Sequence, residues 1–278
     1  MIGQLELLES VNRLIDSGFP RFTVITGQTG QGKQTLAKHI CKRLNYPFII
    51  SEIKVDDLRN IIELSYKQTE PIVYIIPNAD KMSLGAKNSL LKVIEEPPNN
   101  AYFIMTLQTI ENTLNTIKSR CVELKMNNYS EAELIQFIDK SNINVTSDEK
   151  SIILKICENY HEIVQVYKYG IIDFYEYVKK VVDNIYKVQS ANSFKIADKL
   201  SLKNEEDKYD LILFLRTFKI ICMEKLMQLI DEEPTEEFRN YAQNISITCD
   251  TINQLSITGI NKQSLLDVWI LDIRKVWR

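Results

Sequence analysis

A chain of 278 residues exceeds one small core and suits two or three compact domains of about 100–150 residues. Its 45% hydrophobic and 26% charged content, with only 8 Gly and 7 Pro, excludes a disordered or turn-dominated chain and fits an ordered, soluble, helix-rich one. With 34 basic against 37 acidic side chains the formal net charge is −3, which excludes global attraction to nucleic acid or an anionic membrane and leaves any DNA contact to a local patch.

The opening stretch MIGQLELLES carries early glutamates and no basic segment ahead of an apolar one. Nowhere is there an unbroken apolar run of about 18 residues, so the expectation is a cytoplasmic protein with no membrane partner. The five cysteines, Cys41, Cys121, Cys157, Cys222 and Cys249, form no C-x-x-C pair. They are expected to be buried thiols in a reducing compartment, with no zinc and no other metal site.

Up to about residue 125, short β-branched runs alternate with stretches of helical periodicity: FTVIT at 22–26, IVYII at 72–76, YFIMT at 102–106 and CVELK at 121–125. That alternation predicts an α/β domain with a parallel sheet covered by helices. Directly after the first strand, Gly27-Gln28-Thr29-Gly30-Gln31-Gly32-Lys33-Gln34-Thr35 has the spacing of a P-loop running into a helix. Gly27, Gly30 and Gly32 let the backbone fold around an anion with its N–H groups inward. The helix N-terminus adds partial positive charge, and Lys33 reaches the β- and γ-phosphates.

The residue after the lysine should carry the hydroxyl that coordinates magnesium. Gln34 stands there, and the hydroxyl of Thr35 is displaced by one position around the helix. The acidic pair that holds the metal and activates water belongs at the end of IVYII, where Pro77-Asn78 stand instead. Proline cannot bind a metal and asparagine cannot accept a proton. Asp80 lies two residues further on and reads as a helix-start or loop carboxylate. Hydrolysis therefore lacks its metal and its base, while two alternatives stay open for the loop: ATP or ADP held without hydrolysis, or a relic that holds no nucleotide.

From Ser130 onward, Leu134, Phe137 and Ile138, then Ile152, Ile153 and Ile156, recur at spacings of three and four, which predicts helices to the end of the chain. Ser130 with Glu133 forms a capping box, and Ser147 followed by Lys150 resembles one in part. The division expected is an α/β domain at 1–126, a helical lid at 127–182 and a longer helical domain at 183–278, with no Gly/Ser-rich linker marking the last join. His39 and His161 stand alone and are set aside as metal or catalytic residues. Lys179-Lys180 and the lysines of 187–208 are interleaved with acidic residues and read as a solvated face. In the last helix, Leu266, Trp269, Ile270 and Ile273 share one stripe that suits either core or an oligomer contact.

The text ADKMSLGAKNSLLKVIEEPP at 79–98, the strand AYFIMTL and then NTIKSRC at 115–121 resemble the clamp-loader branch of AAA+ proteins. That branch typically reads D-E-A-D-K-M, N-A-L-L-K-x-L-E-E-P-P, a strand, and T-I-x-S-R-C. The resemblance covers about the first 125 residues, and SGFPRFTVITGQTGQGK looks like the family's opening. It implies that Arg120, flanked by Ser119 and Cys121, reaches the nucleotide of a neighbouring subunit as an arginine finger, a role that suits a permanently charged, bidentate guanidinium. Near ENYHEIVQVYKYG at 158–170, where the family's active members carry a nucleotide-sensing arginine, this chain has His161-Glu162.

Three losses on the nucleotide side beside an intact S-R-C resemble a delta-prime-like stator of the DNA polymerase III clamp loader. The implied partners are other clamp-loader subunits in a pentameric ring, a sliding clamp, and primer–template DNA through the assembled complex. The last domain would form a helical collar, which inclines the terminal stripe towards packing within a hetero-oligomer. The four-cysteine zinc module of many bacterial relatives is missing, with only Cys41 in that region, which fits a divergent or phage-encoded version. Two other readings differ in class: an ATP-hydrolysing motor subunit with unusual magnesium ligation through Thr35 and Asp80, and an AAA+ adaptor outside replication.

Overall fold

The computed structural model describes residues 3–186, 200, 209–230, 235–255 and 260–277. The chain divides into two compact units, Met1–Lys140 and Ser141–Arg278.

The first unit holds a five-stranded parallel sheet in the order β2-β3-β4-β1-β5, formed by β1 (Phe22–Thr26), β2 (Phe48–Ile50), β3 (Ile72–Ile76), β4 (Ala101–Leu107) and β5 (Val122–Lys125). Around it lie α1 (Leu5–Ser17), α2 (Lys33–Leu44), α3 (Val55–Ser65), α4 (Leu84–Ser89), α5 (Leu91–Glu95), α6 (Asn115–Lys118) and α7 (Glu131–Lys140). Strand side chains alternate between two cores, as the pleat requires. Val24, Tyr74, Ile76, Phe103 and Met105 face one core with Leu58, Ala86, Leu90 and Ile117. Ile25, Val73, Ile75 and Ile104 face the other with Val11, Leu36, Ala37 and Ile40. Burial on both faces is why these strands read as continuous apolar runs.

The edge strand β2 is the exception, with Phe48, Ile49 and Ile50 all 42–45% exposed. It pairs in parallel with β3 from Phe48↔Val73 to Ile50↔Ile75. Three residues give too short a pattern to be recognised as a strand in the sequence.

The described part of the second unit is helical apart from an isolated bridge between Leu200 and Tyr209. Its helices are α8 (Ser147–Ile156), α9 (Tyr160–Tyr169), α10 (Ile171–Asn184), α11 (Leu211–Gln228), α12 (Glu236–Leu255) and α13 (Lys262–Val276). The stripe Leu266, Trp269, Ile270 and Ile273 is buried within this unit. Trp269 stands edge-on to Phe214 and Phe218, at centroid distances of 6.0 and 4.9 Å, and its Nε1 donates to Thr248 Oγ1 at 3.1 Å. The stripe is therefore core rather than the oligomer contact towards which the resemblance leaned.

The expected capping box at α7 is present: Ser130 N donates to Glu133 Oε2 at 2.8 Å, and Glu133 N to Ser130 Oγ at 3.3 Å. At α8 the box is one residue earlier than Ser147, with Thr146 and Glu149 as its members. Glu149 has the carboxylate that reaches back to the N-cap amide, which Lys150 lacks.

Burial pushes the Cys41 thiol up to about 11 and the Cys222 thiol up to about 12, and Cys157 is also buried. Cys121 and Cys249, expected to be buried, are only half-buried. His39 is half-buried and His161 exposed. No group of three or more His, Cys, Asp or Glu among the described residues could hold a metal, and no described helix is long and apolar enough to cross a membrane. Lys179 and Lys180 are exposed on α10; the lysines of 187–208 lie outside the described residues.

Candidate functional site

The glycine-rich turn follows the central strand β1 and delivers the chain into α2, as its spacing predicts. Gly27, Gly30 and Gly32 have φ of 154°, 86° and 90°, values at which a Cβ is strained. Gly27 N lies 3.2 Å from both Leu107 O and Gln108 O at the end of β4, which pins the turn to the carboxyl edge of the sheet. Ligands bind at that edge in open α/β sheets.

Lys33 is 9% exposed, and its ammonium donates to Gly27 O at 2.5 Å and Gln28 O at 2.7 Å. Burial pushes its pKa below the ordinary lysine value, opposed by the Asp80 carboxylate. Gln34 and Thr35 lie exposed on the first turn of α2. A cleft of about 460 Å³ opens beside the loop, lined in part by Thr26, Gln28, Gln31, Gln108, Glu123 and Asn128.

At the next strand end, β3 stops at Ile76, so Pro77 and Asn78 do occupy the first two positions beyond it. Asn78 is left-handed at φ 52°, and its N–H donates to Thr106 Oγ1 at 3.0 Å. Asp80 accepts the Gln108 N–H on both carboxylate oxygens at 2.9 Å. Its carboxylate thus ties the turn after β3 to the end of β4. Gln108 in turn donates from Nε2 to Thr29 Oγ1 at 3.2 Å. Gln108 and Gln31 belong to the site's fabric, yet nothing in the sequence singles them out, because glutamine has no required place in a phosphate loop.

Arg120 lies on the turn between α6 and the edge strand β5, away from the glycine loop in sequence. Its guanidinium makes long bonds to Thr116 O at 3.4 Å and Ser119 Oγ at 3.3 Å, and an ion pair at 4.0 Å with Glu95. The side chain remains 45% exposed, so this pair is worth at most about 1 kcal/mol. Ser119 positions the turn by donating from Oγ to Thr116 O at 3.2 Å.

In the second unit, Glu162 stands on the first turn of α9, where the resemblance places a sensor arginine. It is buried, and Arg216 Nη1 from α11 donates to both its oxygens at 2.8 and 2.9 Å. His161 beside it is exposed.

Residues 19–130 match the family described as DNA polymerase III, delta subunit. Over that span the chain is similar to clamp-loader subunits of the delta-prime type. It is 33% identical over 104 residues to DNA polymerase III subunit delta' of Buchnera aphidicola subsp. Baizongia pistaciae, covering 37% of this chain and 31% of that protein. It is 26% identical over 170 residues to subunit gamma of Buchnera aphidicola subsp. Schizaphis graminum, covering 50% and 47% respectively. The chain thus spans less than half the length of both relatives.

Among solved structures, a DNA polymerase III gamma subunit-related protein from Thermotoga maritima superposes with a TM-score of 0.57 at 19% identity, covering 98% of this chain and 100% of that one. The RuvB Holliday junction branch migration motor of Thermotoga maritima gives 0.53 at 14% identity, covering 84% and 79%. At such identities the likeness is one of fold: a parallel α/β domain followed by a helical region.

Proposed function

We propose that this delta-prime-like chain is a stator subunit of a DNA polymerase sliding-clamp loader, one that does not hydrolyse ATP and supplies Arg120 to nucleotide bound on a neighbouring motor subunit. The supporting observation is the contrast between its two half-sites. On its own nucleotide side, Gln34, Pro77 and Asn78 leave no hydroxyl or carboxylate for magnesium and no base for water, and Asp80 has both oxygens on the Gln108 amide. On the other side, Arg120 is half-exposed and weakly partnered, as a guanidinium must be if it is to pair with phosphate oxygens in trans. Ser119 holds the turn that presents it.

The assembly proposed is a pentameric ring with other clamp-loader subunits, acting on a sliding clamp and primer–template DNA, with 127–182 as the lid and 183–278 as the collar. The nucleotide-side residues are Gly27, Gly30, Gly32, Lys33, Gln34 and Thr35. The test is steady-state ATP hydrolysis by the purified chain alone and then with its motor and clamp-opening partners, clamp and primed DNA. The expectation is no turnover alone, and stimulation in the mixture that Arg120→Ala lowers by about 10³-fold at the site it serves without disturbing assembly. Unchanged turnover with Arg120→Ala would remove the finger, and magnesium-dependent turnover by the isolated chain that Lys33→Ala abolishes would make it a motor.

A further inference from the structure

A phosphate loop works because its N–H groups and its lysine converge on an anion. In this chain the Gln28 N–H and the Lys33 ammonium already have partners from the chain itself. The Gln31 side chain is 3% exposed and turns back into the loop, where its Oε1 accepts the Gln28 N–H at 2.7 Å. The Lys33 ammonium is committed to Gly27 O and Gln28 O. A Cβ built at Gly27 would collide with Gln31 Oε1, so the carboxamide lies directly against the loop's first glycine.

The glutamine is also held from behind. Its Nε2 donates to Asn128 Oδ1 at 2.8 Å, and its backbone carbonyl accepts from Tyr129 OH at 2.7 Å. Both anchors come from the connector between β5 and α7. A glutamine beside solvent normally keeps its rotamer freedom, and one fixed by bonds at both ends of its carboxamide has a positional role.

We propose that Gln31 is an internal plug, its amide oxygen standing where a phosphate oxygen would sit, latched by Asn128 and Tyr129. The ligand class it excludes is the pyrophosphate group of a nucleoside di- or triphosphate, which enters only when Gln31 leaves. Its departure also breaks the carboxamide's contact to Asn128, so occupancy of the loop and the conformation of the 127–130 connector are linked. Gln34, Pro77 and Asn78 account for missing hydrolysis; Gln31 accounts for weakened binding. The inference rests on reading 27–33 as a phosphate loop, and not on the clamp-loader assignment.

The experiment is an equilibrium titration of the full chain with ADP and with inorganic pyrophosphate, followed by calorimetry. Gln31→Ala should bind both about tenfold or more tightly than the wild type, since two side-chain hydrogen bonds no longer compete. Adding Lys33→Ala should abolish the gain, which ties it to the loop. Asn128→Ala removes the acceptor of the Gln31 Nε2 while leaving the plug in place and should tighten binding about threefold; it carries the question if Gln31→Ala fails to fold. Wild-type affinity equal to that of both variants overturns the plug while leaving the role of Arg120 standing. Loss of Arg120 function in the assembled complex would leave the plug intact.

Discussion

Glu162 stands on the first turn of α9 with its carboxylate 11% exposed, and Arg216 opposite it is 13% exposed. Glu158 adds a second acid at 3.2 Å from the same guanidinium nitrogen. A buried pair of this kind is strongly destabilised when one partner is removed and close to neutral when both become apolar. Arg216→Ala should therefore lower stability by about 3 kcal/mol in urea unfolding, while Glu162→Leu with Arg216→Leu should recover most of that loss; a single substitution costing under about 1 kcal/mol would show that solvent reaches the pair. That a glutamate and not an arginine stands at residue 162 was legible in the sequence, since it needs only the residue type. The ion pair that Glu162 makes was not, because Arg216 lies 54 positions away. Gln31 is similar: its identity is plain, but its orientation depends on Asn128 and Tyr129, some 97 and 98 positions on.

At the scale of elements, β1 and β3 fall on FTVIT and IVYII, because strands buried on both faces leave unbroken β-branched runs. The edge strand β2 leaves no such mark. Helix α13 separates pattern from destination. Its apolar stripe is evident from spacing, but spacing does not say which surface covers it. Burial of Trp269 against Phe214, Phe218 and Thr248 predicts that Trp269→Ala costs about 3–5 kcal/mol and unfolds the second unit at lower denaturant. Val268→Ser, on the exposed face at 51%, should stay within about 0.5 kcal/mol. Equal effects in the two variants would contradict the intramolecular core.

For the whole molecule, the two sheet-flanking cores are drawn entirely from residues before Lys140. A fragment of residues 1–140 contains every strand of the sheet and falls in the size range of independently folding domains. It should express as a folded α/β protein with a cooperative thermal transition by circular dichroism; a broad, non-cooperative melt would mean that the helical unit is needed to complete it.

The sequence by itself determined the parallel α/β domain, the helices of the described remainder, the glycine-loop spacing and the residue types Gln34, Pro77 and Asn78 that stand beside it. Each of these is written in neighbouring residues, through strand or helix periodicity or through a motif of fixed spacing. Only the tertiary structure decided that the Gln31 carboxamide bonds the Gln28 N–H and Asn128, that Asp80 serves the Gln108 amide, that Glu162 pairs with Arg216, and that the α13 stripe is core. Those outcomes depend on which distant side chains reach one another across the fold, and contacts over tens of residues have no local periodicity to announce them.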